Sequence, residues 1–218
     1  MSEDAYEIFK YLPIRTNTSE DEYIKHLWDA FVTLESSEGD GRYFAVMTFH
    51  LLYMLALQYK LLRISSEISK EYNTAFYVYQ SRDKASLMKP SSVFEIALMN
   101  ERAIPDLLRI IEVEESVISD AKKLIDNRNE LAHAKGGIER EAQNRISKYL
   151  VNLKSIQSKM SKLNNKISSD WLSKMGNNEV EESEVLSFVE LHLLESKLCQ
   201  ADFGFGSLKK HFERYINP

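Results

Sequence analysis

Cysteine, proline and glycine are all scarce in this chain of 218 residues. The single cysteine, Cys199, excludes an internal disulfide framework and a cysteine-rich metal site. Such cysteine usage suits a reducing compartment. Four prolines and seven glycines supply few of the tight turns that an all-β fold requires. The composition therefore favours an all-α fold.

The first residues also lack the pattern of a signal peptide. The sequence MSEDAYEIFKYLP has no basic segment followed by an apolar one, so we expect no signal peptide. The longest apolar run, residues 42–62, is long enough for a membrane span, but His50, Gln58 and Lys60 interrupt it. We interpret it as a buried central helix, with a span as the alternative and His50 as a hydrogen-bonded core histidine. The prediction is a cytoplasmic protein without a membrane partner.

Apolar residues recur at helical spacing along most of the chain, which predicts an all-α, up-and-down bundle of long helices over residues 1–175. The acidic linker GNNEVEESE then leads into a small C-terminal helical appendage over residues 176–218. The central helix should run from Arg42 to about Tyr72. The aromatic segment YNTAFYVYQ that follows could continue it, form a short helix or be extended.

Local signals suggest several helix boundaries. Ser91 or Ser92 can cap a helix, Pro105 breaks or restarts one, and Ser116 can cap the next. The last predicted long helix carries a heptad-like stripe, which must pack along another long helix in the same chain or in a partner. The stripe consists of Ile138, Ala142, Ile146, Tyr149, Leu153, Ile156, Met160, Leu163 and Ile167.

Charge is unevenly distributed along the chain, whose net charge is −5. Residues 121–168 contain eleven Lys and Arg and four Asp and Glu, a net charge of +7, and the remainder carries −12. The basic stretch either forms a phosphate-binding surface or only solvates a long helix.

The basic stretch contains DNRNELAHAKGG, which places Arg128, Asn129 and His133 at the end of a predicted helix. Asn129 and His133 are four residues apart and share a helix face. Histidine can move protons to or from a ribose hydroxyl or a leaving oxygen, and arginine can stabilise a phosphate. No metal or cofactor is needed. The simpler alternative is that Arg and His offset the helix dipole.

One histidine is too few for a general acid and a general base. A two-fold homodimer would bring two copies of the motif together across its interface. We therefore interpret the stretch as half of a composite site.

Arg128 to His133 reads R-N-x-x-x-H and resembles the signature of HEPN domains, the higher eukaryote and prokaryote nucleotide-binding superfamily. The apolar lead-in, the small residue after His133 and the nearby glycines match as well. The resemblance implies an all-α bundle of four or five helices. Many such domains are metal-independent ribonucleases with a composite dimer site, and many act as toxins or in antiviral defence.

The resemblance implies catalytic roles for Arg128 and His133 and a supporting role for Asn129. An additional polar residue on an earlier helix, either Glu95 or Glu101, would join the site. The basic arm that follows is the predicted substrate-binding set: Lys135, Arg140 and Arg145. Lys135 stands where one toxin subtype has tyrosine, which argues against that subtype.

The leading hypothesis is a homodimeric HEPN endoribonuclease that cleaves RNA by 2′-OH attack, with an antitoxin or defence-complex protein as a further partner. The alternatives are a non-catalytic HEPN-like module that binds a protein or nucleotide, and an unrelated helical interaction protein.

Overall fold

The computed structural model describes residues 3–12, 18–37, 41–77, 84–132 and 142–176. Within these ranges the chain is helical and contains no strand, which confirms the predicted all-α class. The chain divides into two compact units, Met1–Met160 and Ser161–Pro218. The predicted appendage, except for its first residue, and the glycines of the motif lie outside the described residues.

The longer helices are α1 (Thr18–Glu35), α2 (Gly41–Glu67), α7 (Glu115–Ala132) and α8 (Ala142–Gly176). Shorter α-helices lie between α2 and α7: α3 (Ser69–Tyr77), α4 (Lys84–Met88), α5 (Val93–Ile96) and α6 (Ile104–Leu107). The described residues also form 3-10 helices at Glu3–Lys10, Glu101–Ala103 and Leu108–Ile111.

Helix α2 lies at the centre of the first unit. Every residue from Leu52 to Leu62 is buried, so neighbouring elements enclose this helix on all sides. Among the described residues, the segment Phe44–Glu67 is long and apolar enough to cross a membrane. Of its apolar 18-residue stretch, 83% is buried inside the protein. The prediction of a buried central helix is confirmed.

Contacts between side chains give the directions of the long helices. Glu20 of α1 meets Tyr59 of α2, whereas Phe31 meets Phe49, so α1 and α2 are antiparallel. Helix α8 runs parallel to α2, because contacts pair the start of α8 with the middle of α2 and later residues with later ones. These contacts are His50–Tyr149, Tyr53–Asn152 and Lys60–Gln157.

Helix α7 is antiparallel to α8. The Leu124 carbonyl contacts the Tyr149 hydroxyl, and the Val117 carbonyl accepts from Asn152. The stripe of α8 is buried from Ile146 to Met160 and packs within this chain. This is the first of the two arrangements that the heptad-like pattern allowed.

The N-terminus of α5 is fixed by a buried carboxylate. Ser92 caps the helix as predicted, with its Oγ accepting from Phe94 N at 3.2 Å. Ser92 Oγ in turn donates to Glu20 Oε1 at 2.8 Å, and Glu20 Oε2 accepts from Tyr59 at 3.0 Å. Glu20 therefore joins α1, α2 and α5.

Other boundaries differ from the prediction. The central helix bends at Ile68, although Ile68 N still bonds to the Ile64 carbonyl at 3.0 Å. Two serine side chains just before the bend donate to carbonyls three residues earlier, a competition that bends helices. The aromatic segment is helical as far as Tyr77, and its last residues lie outside the described ranges.

Two further predictions concerned Pro105 and Ser116. Pro105 lies in the first turn of α6 and so restarts a helix, where its missing N–H costs nothing. The prediction that Ser116 caps α7 is wrong, because Ser116 lies within the helix. The backbone carbonyl of Glu114, two residues earlier, accepts the first hydrogen bonds of the helix, from Val117 and Ile118.

Candidate functional site

Helix α7 carries the first half of the motif. Ile118, Ala121 and Ile125 are buried and fix one face of the helix against the core. Arg128 extends this face by one helical step toward the C-terminus of α7, and its side chain is 20% exposed. The same apolar spacing that packs the helix thus places Arg128 at the edge of the core.

Arg128 forms an ion pair with Glu101. Its Nη2 donates to Oε2 of Glu101, the first residue of the 3-10 helix that precedes α6. Asn100 caps that short helix by accepting from Arg102 N at 2.9 Å. Arg102 forms a second ion pair with α7, through Asp126, at 3.2 Å. Two ion pairs of opposite orientation therefore join this short helix to α7.

A buried histidine lies behind the carboxylate. His50 of α2 is fully buried, and its Nε2 lies 3.6 Å from Glu101 Oε2. Its Nδ1 lies 3.0 Å from the hydroxyl of Tyr149 on α8, and that hydroxyl is 3.4 Å from the Leu124 carbonyl. These contacts form a continuous polar chain, Arg128–Glu101–His50–Tyr149, which we call the polar relay. The prediction that His50 is a hydrogen-bonded core residue is confirmed.

The surroundings of the polar relay favour a neutral His50 beside an ionised Glu101. Burial lowers the pKa of His50, and the positive charge of Arg128 lowers it further, while Glu101 opposes both effects. The pKa of Glu101 is lowered, chiefly by the contact with His50 and also by the charge of Arg128. Burial raises the pKa of Tyr149, so its hydroxyl keeps its proton.

Two buried donor or acceptor atoms at the polar relay are unmatched. Among the described residues, neither Nε of Arg128 nor Nε2 of His50 has a hydrogen-bond partner of ordinary length. The 3.6 Å contact between His50 and Glu101 is longer than such a bond. Because unmatched buried polar atoms are costly and uncommon, their presence marks this cluster as a candidate functional site.

Of the two acidic candidates, the structure brings Glu101 to Arg128 and does not bring Glu95. The Glu95 carboxylate accepts from the backbone N of Ser91 at 2.5 Å and from its Oγ at 3.2 Å. These bonds lower its pKa. Glu95 therefore stabilises the turn before α5, a local role.

Only part of the predicted site can be placed. Asn129 is half-buried on α7 directly after Arg128. Arg145 is half-buried on α8, and the charges of Arg145 and Arg128 partly oppose the rise in the pKa of Tyr149 that burial causes. His133, Lys135 and Arg140 lie outside the described residues. The described residues contain no cluster of three or more His, Cys, Asp or Glu that could hold a metal ion.

Several cations of the basic stretch are paired with carboxylates. Lys122 lies 2.7 Å from Asp106, Lys123 lies 3.1 Å from Asp120, and Lys159 lies 2.7 Å from Glu114. Local pairing reduces the positive field that these lysines present to a phosphate. Any anion-binding surface on the described part of the stretch is therefore smaller than its net charge suggests.

A groove of about 540 Å³ runs between α7 and α8. Its apolar lining includes Val117, Leu124 and Val151, and the exposed Val151 is accessible to an occupant. Its polar lining includes Asn127, immediately before Arg128, together with Lys123, Asn144 and Lys148.

His50 and Tyr149 were not assigned to the site from the sequence. The available signals were a histidine within an apolar run and a tyrosine within an apolar stripe, since both side chains need polar partners when buried. Neither signal says that the two side chains meet behind Glu101. That information comes from the packing of α2 against α8 and against the 3-10 helix that carries Glu101.

The chain was compared with protein-family models, with curated proteins and with solved structures, and no match was found in any of the three. Function is therefore inferred from its residues and their geometry.

Proposed function

We propose that this protein is a metal-independent endoribonuclease of the HEPN type, acting as a homodimer in a toxin or antiviral-defence role. The observation that carries the proposal is the pairing of Arg128 with Glu101. An arginine that only offset a helix dipole would need no carboxylate from another element. Here the motif arginine pairs at the edge of the core with Glu101, one of the two acidic residues that the resemblance offered as an additional site residue.

Arg128 retains donors for a substrate. A guanidinium has five N–H groups, and Glu101 contacts the Nη2 end. A scissile phosphate could accept from the remaining Nη group on the exposed side. There the arginine would stabilise the negative charge that builds on the phosphate oxygens in the transition state.

His133 supplies the proton chemistry in this proposal. In one protomer it takes the proton of the ribose 2′-OH as the 2′-oxygen attacks phosphorus. In the other it gives a proton to the leaving 5′-oxygen as that P–O bond breaks. The products are a 2′,3′-cyclic phosphate and a 5′-hydroxyl. Asn129 orients these groups, while Lys135, Arg140 and Arg145 contact the RNA backbone.

A non-catalytic helical module is the second candidate, and one observation favours it. Glu101 already neutralises Arg128, and carboxylates also pair with three lysines of the basic stretch. A surface with its cations matched in this way suits a protein or nucleotide partner better than a long RNA.

Expression in bacteria separates the two candidates. We would compare the wild-type chain with His133→Ala and with His26→Ala, a matched control at an exposed histidine of α1. A ribonuclease should arrest growth and degrade RNA in the wild type and the control, and His133→Ala should relieve both effects. Equal toxicity of all three proteins would remove His133 from the site, and intact RNA in all three would favour the non-catalytic module.

A further inference from the structure

We infer that His50 is a positioning residue for Arg128, acting through Glu101 with its ring neutral and its proton on Nε2. The positioning role of His50 in catalysis rests on the proposed function. The protonation state of His50 is independent of that function. The sequence motif does not include His50. Its two ring nitrogens contact partners on two different elements, Tyr149 on α8 and Glu101 before α6.

The positions of the protons follow from counting donors and acceptors. A neutral imidazole has one N–H and one bare nitrogen. If Nδ1 carried the proton, the bare Nε2 would face the Glu101 carboxylate at 3.6 Å, and two acceptors would oppose each other beside a fully buried ring. If Nε2 carries it, the N–H points at the carboxylate. The Tyr149 hydroxyl then donates to Nδ1 across 3.0 Å.

The doubly protonated ring also satisfies these contacts, provided that the Tyr149 hydroxyl turns to the Leu124 carbonyl, 3.4 Å away. That bond is longer than the bond to Nδ1, and the ring would carry its charge in a fully buried position near Arg128. Burial and the arginine both oppose the added proton. The neutral ring with its proton on Nε2 is therefore the resting state.

This arrangement holds Glu101 from two sides. Arg128 contacts Oε2 from the partly exposed side, and His50 approaches the same oxygen from the core. A carboxylate with donors on both sides has little freedom to rotate, so it defines where the guanidinium lies. Without His50, Glu101 could follow Arg128 into alternative rotamers, and the phosphate would meet a less ordered cation.

Nuclear magnetic resonance tests the protonation without any assumption about activity. We would record imidazole nitrogen shifts of the full chain at neutral pH and assign His50 by its absence from His50→Gln. The expected spectrum has a protonated Nε2 and a bare Nδ1. A bare Nε2, or a ring that is charged at neutral pH, would overturn the inference even if the protein cleaves RNA.

Kinetics tests the positioning role, using two substitutions at one buried position. Gln at residue 50 can still donate an amide N–H toward Glu101, whereas Leu has similar bulk and no donor. RNA cleavage by His50→Leu should show kcat reduced about tenfold or more with KM nearly unchanged, since the lost contact is to a charged group. His50→Gln should recover most of that loss.

Equal kcat losses in the two variants would show that His50 only fills space, which would contradict a positioning role. Circular dichroism and urea unfolding of both variants show whether each is folded before it is assayed. If the wild type has no ribonuclease activity, the proposed function fails. The nitrogen spectrum of the wild-type protein then still decides whether Nε2 carries the proton.

Discussion

Glu101 and Arg128 are 27 positions apart in the sequence and form an ion pair between a three-residue 3-10 helix and the last turns of α7. This pair links the motif to the core, because the same carboxylate oxygen lies near the buried His50. Its properties lead to predictions about stability, titration and assembly.

Removing the charge of Glu101 should destabilise the fold. We expect Glu101→Gln to lower the free energy of unfolding by about 1–2 kcal/mol, since it weakens a charged hydrogen bond and leaves Arg128 partly buried without its counter-charge. Urea unfolding at neutral pH measures this. The matched control is Asp126→Asn, which breaks the more exposed pair with Arg102 at the same junction and should change stability by less than about 0.5 kcal/mol. Equal effects would contradict a special role for Glu101.

Stability should fall on mild acidification because of His50. Its pKa is lowered in the folded protein, so below about pH 6.5 the unfolded chain takes up a proton that the folded protein resists. The loss of stability grows as the pH falls, and it levels off once the pH is below the pKa of His50 in the folded protein. Among the described residues, the ionisable groups that face the ring are Arg128, Glu101, Tyr53 and Tyr149.

The variant His50→Gln should lose less stability than the wild type as the pH falls from about 6.5 to about 5, a window above the ordinary range of carboxylates. Urea unfolding at several pH values gives both curves. Parallel curves would mean that His50 takes up its proton equally in both states, which contradicts the inferred environment.

The two buried tyrosines near His50 should behave differently. Tyr149→Phe removes the hydroxyl that contacts His50. Tyr53→Phe removes the hydroxyl that donates to Asn152 Oδ1 at 2.8 Å. We expect each to cost about 1 kcal/mol. Only Tyr149→Phe should lower the pKa of His50 further, because the charged ring then has an unmatched Nδ1–H. An NMR titration in which the pKa of His50 shifted equally in both variants would contradict the contact between the Tyr149 hydroxyl and Nδ1.

A composite site should be sensitive to one defective copy. If each cleavage needs His133 from both protomers, a heterodimer of wild type and His133→Ala should be about as inactive as the double variant. Two affinity tags allow that heterodimer to be purified and assayed. Activity near half that of the wild type would instead indicate that each protomer carries a complete site.

The sequence was sufficient to predict the helical fold and the burial of α2, since most of the circumference of α2 is apolar between Leu52 and Leu62. The Ser92 cap was likewise readable, because serine before a helix has a specific hydrogen-bonding role. Local signals were weaker elsewhere. No proline or glycine marks the bend at Ile68. Helix α7 begins two residues before the predicted Ser116 cap, with bonds to the Glu114 backbone carbonyl, and no capping side chain in the sequence indicates that start.

The candidate site was less accessible to sequence reasoning. Glu95 and Glu101 are both acidic and six residues apart, and only the tertiary structure shows that one caps a local turn while the other meets Arg128. His50 and Tyr149 are 99 positions apart, so no local pattern could join them. Long-range packing decides such contacts, whereas the motif itself depends only on local spacing.

RNA cleavage by the purified protein in excess EDTA tests the central claim most directly. The account predicts fragments that end in a 2′,3′-cyclic phosphate and begin with a 5′-hydroxyl. It also predicts a rate reduced about a hundredfold or more by His133→Ala, the usual contribution of a general acid or base. A folded wild-type dimer that leaves RNA intact, or a His133→Ala variant that cleaves at the wild-type rate, would contradict it.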